Sequence, residues 1–374
     1  MAGVSRFCRI EKARLTAIEG GSEPTFFELE ELARVFGIDS DALSDEHIVL
    51  QASDAPSTLA SLDEFRDIGE EVRVRILAAA TAAKDVVALK KLLGKQTITL
   101  AGIRRKSTGL HDVRGKKPAE QGRELANRLR KKQKMGSEPI ISCRDWFQEF
   151  YPDATLLYAE LGRFGPAGLT FADDSRGATI VLNLNGKNEQ PLVRRFSLAH
   201  ELCHLLVDVD GKTPLAQLSG YLTDTGLERE QRANAFAVRL LCPESVLGSV
   251  HTDDEPAEAV RKLAPFGLPY AAVRLYLNKL RGLDLPAIPP QEVLSMRLQA
   301  HWLNAEEPLG IAGFPLEKVP PERRTHVAEL ASEAYSRGLI SRDRFALVLG
   351  VTPLHEIERV LDFFGVPEPT DQAA

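Results

Sequence analysis

Two histidines and a glutamate in the stretch FSLAHELCHLL, residues 196–206, have the types and spacing of a metal site on a helix. His200 and His204 are four residues apart, so one turn of α-helix places both on one face, with Glu201 beside them. Imidazole is a common zinc ligand, and a zinc site that keeps a position open for water uses three protein ligands. The alternative is a buried helix whose histidines belong to the core and whose glutamate faces solvent.

A second predicted helix, which begins EREQRANAFA, offers the third ligand. Its first turn contains two acids, Glu228 and Glu230, whose side chains point about 200° apart on a helix. Glu230 shares a face with Asn234, whose amide is suited to support a histidine or carboxylate ligand from behind. The spacing alone leaves both carboxylates as candidates.

The chemistry of such a site is hydrolysis of a peptide bond. Glu201 would be the general base, which takes a proton from the attacking water, because zinc lowers the pKa of water to about 7. Cys203 precedes His204 by one position, about 100° around the helix, so we expect it to pack in the core rather than bind the metal. Tyr221 and His251 are both candidates for stabilising the oxyanion.

The stretches RRFSLAHELCHLL and EREQRANAFAVRLLCPE resemble the ImmA/IrrE family of bacterial zinc metallopeptidases. The family pattern is RF-x-x-AHE-x-x-H followed by E-x-x-A-N-x-F-A-x-x-LL-x-P. The resemblance implies that His200, His204 and Glu230 bind Zn²⁺ and that Glu201 is the catalytic base. Glu228 then has no role, because only Glu230 lies three residues before the Ala-Asn pair.

The resemblance extends over residues 117 to about 250. KPAEQGRELANRLRK and ATIVLNLN stand where the family has its first helix and the edge strand before the catalytic helix. Cys203 and Cys242 replace the Gly and Met that the family often has. The resemblance further implies a regulatory protease that inactivates a transcriptional repressor, usually one with its own XRE-type domain, in stress or mobile-element control.

The elements that must position these residues are mainly helical. TLLYAEL and ATIVLNLN are predicted strands, separated by the turn-rich GRFGPAG and ADDSRG. The predicted fold is α+β: a zincin-like peptidase domain with a small antiparallel sheet and an HExxH helix, flanked by small helix-turn-helix-like domains. The predicted divisions are a truncated XRE-type module at 1–50, a helical linker with a basic stretch at 51–115, the peptidase domain at 116–285 and a helical domain at 286–374.

The two terminal modules suggest contact with DNA. RLTAIEGGSEPTFFELEELARVFGIDSDAL resembles the later half of an XRE-type helix-turn-helix domain, with one helix stopped by Gly20 and Gly21 and the next begun near Thr25. About 13 residues precede Arg14, so the helix that buttresses a recognition helix is missing or replaced. DNA binding and a remnant that packs on the peptidase or a partner are both consistent with this. Five of the arginines in the C-terminal segment 322–365 are candidates to meet phosphate: Arg323, Arg324, Arg337, Arg342 and Arg344.

Composition limits the class of protein. The chain of 374 residues is 44% apolar and 27% charged, which is typical of a soluble, core-forming protein. Its net charge of −6 argues against a protein that coats nucleic acid, although residues 101–134 have 12 basic residues against 3 acidic ones. We interpret that stretch as a solvated linker and exposed helix face, with nucleic-acid contact as the alternative.

Four scattered cysteines, no secretion signal and no membrane span predict a cytoplasmic protein without membrane contact. The sequence therefore predicts a zinc-dependent endopeptidase whose substrate is a protein, and it leaves the oligomeric state open. A DNA-binding transcriptional regulator, with a metal site that is structural or sensory, is the alternative function.

Overall fold

The protein was analysed as a computed structural model, which describes residues 10–36, 65, 68–106, 116–173, 175–210, 212, 215–220, 228–251, 254, 256–282, 284–287, 306, 308, 310–351 and 356–368. Its α-helices are α1 (Lys12–Glu19), α2 (Phe26–Phe36), α3 (Glu70–Leu92), α4 (Leu100–Lys106), α5 (Pro118–Lys132), α6 (Cys143–Phe150), α7 (Pro191–Val207), α8 (Glu228–Leu241), α9 (Glu244–Leu247), α10 (Pro256–Leu263), α11 (Tyr270–Arg281), α12 (His326–Ser336), α13 (Arg342–Leu349) and α14 (Ile357–Phe364). The strands are β1 (Thr155–Ala159), β2 (Gly168–Asp173), β3 (Gly177–Asn183) and β4 (Leu215–Ser219).

The four strands form one sheet in the order β1-β3-β2-β4. β2 pairs antiparallel with β3 and with β4, whereas β1 pairs parallel with β3. The sheet is therefore mixed: two of its three pairings are antiparallel, as in the predicted small antiparallel sheet, and the pairing of β1 with β3 is parallel. The reason is topological: the chain reverses direction between β1 and β2 and again between β2 and β3, so β1 and β3 run the same way.

The position of the sheet edge also differs from the prediction. The stretch ATIVLNLN forms most of β3, which lies between β1 and β2 and so is an internal strand rather than an edge. β4 is the outer strand on the side of β2, and it comes from the segment between the two motif helices. An extended peptide that approaches this side of the sheet would thus meet β4 and not β3.

Both faces of the sheet are covered by helices. Ile180 and Leu182 point into a core shared with α5, α6, α7 and α8, while Val181 points into a second core shared with α3 and with α12 to α14. Because successive side chains on a strand point to opposite faces, a strand covered on both sides buries every position, and Ile180, Val181 and Leu182 are consecutive apolar residues. All seven residues of β3 are buried accordingly.

The Ala-rich helix α3 joins the terminal segments to the sheet. Its residues Ile76, Ala79, Ala83 and Val86 are buried in the second core, and alanine has the highest intrinsic preference for helix. The helical pattern in this part of the sequence therefore contributes to the core. The domain boundaries themselves stay predictions.

The N-terminal helices agree with the predicted start and stop signals. α1 ends at Glu19, directly before Gly20. α2 begins after Thr25, and the Thr25 N–H donates to Glu28 Oε2 at 2.7 Å while the Glu28 N–H donates to the Thr25 hydroxyl at 3.3 Å. This is a capping box, in which two side chains satisfy backbone groups at a helix start.

Within the described residues, none of the helices combines the length and the apolar character that crossing a bilayer requires.

Candidate metal centre

Helix α7 carries the first three residues of the centre into the protein interior. It begins with Pro191, which is favourable at the first position of a helix, and it lies between the sheet and α8. Glu201 and His204 are fully buried, and His200 is 6% exposed. Polar side chains are rarely buried to this extent without hydrogen-bond or ion-pair partners. The partners of these three side chains therefore indicate the function of this helix face.

Helix α8 brings Glu230 against the two histidines. His200 Nε2 lies 3.1 Å from His204 Nε2 and 3.0 Å from Glu230 Oε2, and His204 Nε2 lies 3.2 Å from Glu230 Oε1. Ligand atoms about 2.05 Å from a tetrahedral zinc ion would be roughly 3.3 Å apart, close to these separations. The nitrogen and carboxylate donors are also those that zinc prefers. The three residues thus form a group that could hold a metal ion.

The Nδ1 atom of each histidine lies within hydrogen-bond distance of a side-chain oxygen. His200 Nδ1 is 3.1 Å from Asn234 Oδ1, and His204 Nδ1 is 2.7 Å from Asp208 Oδ2. Asp208 in turn accepts a hydrogen bond from Arg232. An acceptor at Nδ1 favours the tautomer whose Nε2 lone pair is free to bind a metal, so both rings are oriented toward the centre.

The centre attracts positive charge. Burial lowers the pKa of His204, but the hydrogen bonds that the ring donates to Asp208 and Glu230 outweigh it and raise the value to about 10. Burial raises the pKa of Glu230, but the two histidines hold that pKa well below its ordinary value. The buried site therefore favours an ionised Glu230 carboxylate and a protonated His204. A site of this kind is suited to bind a metal cation, which takes the place of the proton on the histidine.

Glu201 lies beside His200 and His204, and one of its two carboxylate oxygens is unpaired among the described residues. Its Oε2 accepts a hydrogen bond of 2.7 Å from the Thr170 hydroxyl, whereas its buried Oε1 has no hydrogen-bond partner among the described residues. Burial raises the pKa of this carboxyl group, against the charges of His200 and His204, which lower it. A raised pKa and a free oxygen are the properties of a group that can accept a proton.

The approach of Glu201 to the sheet depends on Gly168. A Cβ atom at this position would lie 2.5 Å from Glu201 Oε1, which is shorter than any ordinary contact. The first residue of β2 therefore has to be glycine for the carboxylate to occupy its place.

Residues 152–277 match the family model of the IrrE N-terminal-like domain, Peptidase_M78. This segment is a domain of the ImmA/IrrE family. The family consists of metallopeptidases, and the matched range contains all four strands and both helices that carry the centre. Among curated proteins and among solved structures, none matches the chain.

Three of the remaining candidates from the sequence, Glu228, Cys203 and His251, are not part of the centre. Glu228 is exposed in the first turn of α8, and Cys203 is fully buried in the apolar core. His251 is exposed, and its backbone N–H donates to Asp254 at 2.8 Å. Tyr221 lies outside the described residues.

Several residues around the centre were missed by sequence reasoning. Thr170 and Gly168 reach it from β2, and Gln217 of β4 donates to Glu230 Oε1 at 3.3 Å. These contacts have no local signal in the sequence. Asp208 does have one, because it follows His204 by four residues and so lies one turn further along the same face.

The arginines that the sequence suggested for phosphate contact have partners inside the protein. Arg323 binds Asp85 at 2.7 Å and the Val348 carbonyl, and Arg324 donates to three backbone carbonyls. The other three form ion pairs on the surface: Arg337 with Glu333, Arg342 with Glu358 and Arg344 with Glu30. DNA contact through this segment stays a prediction.

Proposed function

We propose that this chain is a zinc-dependent endopeptidase in which His200, His204 and Glu230 hold the metal and Glu201 is the general base. The observation that carries the proposal is the convergence of three ligand atoms from two helices beside a buried carboxylate with a free oxygen. The ImmA/IrrE domain supports peptide hydrolysis as the reaction.

The residues of the chain supply the positioning and the proton transfer. A zinc ion bound here supplies Lewis acidity, which polarises the scissile carbonyl group and lowers the pKa of water. Glu201 Oε1 accepts the proton of the attacking water and later passes it to the leaving amine. The Thr170 hydroxyl holds Oε2, which keeps Oε1 directed at the reaction. Asp208 and Asn234 keep the two imidazole rings aligned.

The proposed substrate is a transcriptional repressor, cleaved at a specific site to derepress stress-response or mobile-element genes. Two features support a protein substrate of this kind: the ImmA/IrrE domain and the N-terminal helices that resemble an XRE-type module. The outer strand β4 has the uncharged sequence LAQLS, and it offers an edge against which an extended segment can pair.

The alternative, a DNA-binding regulator with a structural or sensory metal, explains the three ligands but not Glu201. A structural zinc site needs no additional buried carboxylate, and burying one without full hydrogen bonding is unfavourable. The presence of Glu201 beside the cluster therefore favours the peptidase.

The test compares the wild type with Glu201→Gln and His204→Ala. We expect Glu201→Gln to bind zinc at near wild-type stoichiometry and to lose cleavage of a co-expressed neighbouring repressor, because the base is not a ligand. It should also retain the uncut repressor in a pull-down. His204→Ala should lose both zinc and cleavage, as measured by elemental analysis and gel electrophoresis. Continued cleavage by Glu201→Gln would overturn the role of Glu201, and zinc retained by His204→Ala would overturn the ligand set.

A further inference from the structure

The loop between β1 and β2, residues 161–167, is fixed by asparagine side chains. Asn183 donates to the carbonyls of Gly162 at 2.9 Å and Pro166 at 3.0 Å, and it accepts from the Leu161 N–H at 3.0 Å. Two further asparagines, in the segment between β3 and α7, add to this: Asn185 accepts from the Gly162 N–H, and Asn188 donates to the Ala167 carbonyl. Five side-chain hydrogen bonds thus hold the loop conformation.

Close backbone packing fixes the same loop a second time. A Cβ at Gly165 would lie 2.2 Å from the Leu161 carbonyl oxygen, so the turn can only close with glycine there. Pro166 is buried, and its ring restricts the backbone directly after the turn. The loop is therefore pre-formed before any substrate arrives.

This pre-formed loop presents an aromatic side chain to water. Phe164 is 86% exposed, more than any other large apolar residue in the described part of the chain. A side chain so exposed adds almost nothing to the packing of the loop, which a polar residue would serve equally well. The ring is therefore available for contact with another molecule.

The loop leads directly into the catalytic region. Phe164 lies four positions before Gly168, which contacts Glu201, so their Cα atoms are at most about 14 Å apart. An extended peptide advances about 3.4 Å per residue. The Cα atom of Phe164 is consequently no farther than about four residue lengths of an extended peptide from the glycine that contacts Glu201.

We propose that Phe164 is a specificity-determining residue, which contacts a large apolar side chain of an extended peptide substrate near the scissile bond. The inference rests on the proposed function and deepens it by naming the substrate class. Because the asparagines hold the loop in place, the contact costs little conformational entropy, and the phenyl ring acts as a rigid anchor.

The experiment uses decapeptides of Ala, Ser and Gly in which a single leucine is moved along the sequence. Wild-type protein should prefer one leucine position, measured as kcat/KM. Phe164→Ala should reduce that preference by about 10-fold, the effect of losing one buried apolar contact, while peptides without leucine are cut at the wild-type rate. Leu275→Ala is the matched control, because Leu275 is also an exposed apolar residue, at 61%, on α11. It should leave the preference unchanged.

Binding measurements separate this inference from the proposed function. The same peptides are titrated into Glu201→Gln protein with and without Phe164→Ala, so that the contact is measured without turnover. Weaker binding, after Phe164→Ala, of the leucine peptide that Glu201→Gln protein binds most tightly supports the contact even if the wild type cleaves none of the decapeptides. The endopeptidase itself is tested separately, by cleavage of the repressor. Equal binding and an unchanged leucine preference would overturn the role of Phe164. Asn185→Ala should partly reduce the preference for one leucine position, because it removes one of the hydrogen bonds that fix the loop.

Discussion

At the scale of single residues, the choice between Glu228 and Glu230 defines the centre. Glu230 bridges both histidines, whereas Glu228 is exposed at the first residue of α8. We expect Glu230→Gln to lose zinc and hydrolysis, because two ligands do not hold a catalytic zinc tightly. Glu228→Gln should keep both and cost at most about 1 kcal/mol of stability, since it removes only an acid at a helix start. Elemental analysis and thermal unfolding of both variants check this, and the reverse order of zinc loss would place the site on Glu228.

Asp208 provides a second prediction at this scale, because it orients His204. Asp208→Ala should weaken zinc affinity by about 10- to 100-fold, as loss of a carboxylate behind a histidine ligand does. Competition with a chromophoric chelator measures the affinity. Asp210→Ala is the control, because Asp210 is exposed and accepts from the Lys212 N–H. Equal affinities of the two variants would show that Asp208 has no part in orienting the ring.

At the scale of elements, the pairing of α5 with α8 supports the helix that carries Glu230. Arg130 of α5 is buried and donates to the carbonyls of Leu240, Gly136 and Glu138 at 2.6, 2.8 and 3.1 Å. Arg130→Met should lower the free energy of unfolding by about 1–3 kcal/mol, because it leaves buried carbonyls without donors. Lys131→Met, at an exposed neighbouring position, should change it by no more than about 0.5 kcal/mol. Urea unfolding of both variants is the measurement, and similar losses in the two would contradict the buried role of Arg130.

The contact between α1 and α2 predicts an acid-sensitive ion pair. Arg14 donates two hydrogen bonds to Glu28, at 2.7 and 2.8 Å, and together with the Thr25 N–H it lowers the Glu28 pKa to about 2. Because this pKa is below the unfolded value of about 4.3, the pair stabilises the folded state above that pH and is lost as the pH falls toward about 2. Arg14→Met should return the Glu28 pKa toward 4.5, its ordinary value. NMR titration of glutamate carboxyl carbons, with Glu28→Gln to identify the signal, measures both values, and an unchanged pKa would contradict the pairing.

At the scale of the whole molecule, the terminal helices contact each other, and the metal centre lies elsewhere. Glu30 of α2 pairs with Arg344 of α13, while the residues of the centre come from β2, α7 and α8. If the N-terminal helices bind DNA, deleting residues 1–50 should abolish sequence-specific binding and leave zinc content and cleavage intact. The affinity of the full chain should fall steeply with salt. Specific binding that survives the deletion, measured by fluorescence anisotropy, would place DNA recognition in another part of the chain.

The parts of the fold that could be predicted are those with a local signal. The HExxH spacing, the family pattern on α8 and the Gly20 stop signal all lie within a few residues of the structure they specify. β2 and β4 could not be found this way. β4, with the sequence LAQLS, lacks the β-branched and aromatic residues typical of strands, and it is extended because β2 pairs with it.

In the site, too, only the residues with a local sequence signal could be predicted. The metal-binding group and Glu201 follow a recognisable pattern, but Thr170 contacts Glu201 across 31 positions of the chain. Gly168 contributes by having no side chain, which no spacing rule detects. Only the register of the sheet brings these two residues to the carboxylate.

The order of elements along the chain has a consequence for biosynthesis. His200 and His204 lie on α7, the strand β4 follows, and Glu230 comes only with α8. A nascent chain that has emerged as far as β4 carries two of the three proposed ligands and cannot hold zinc tightly. Such a chain would be inert toward proteins near the ribosome, and its protease activity would begin only after α8 has emerged and docked.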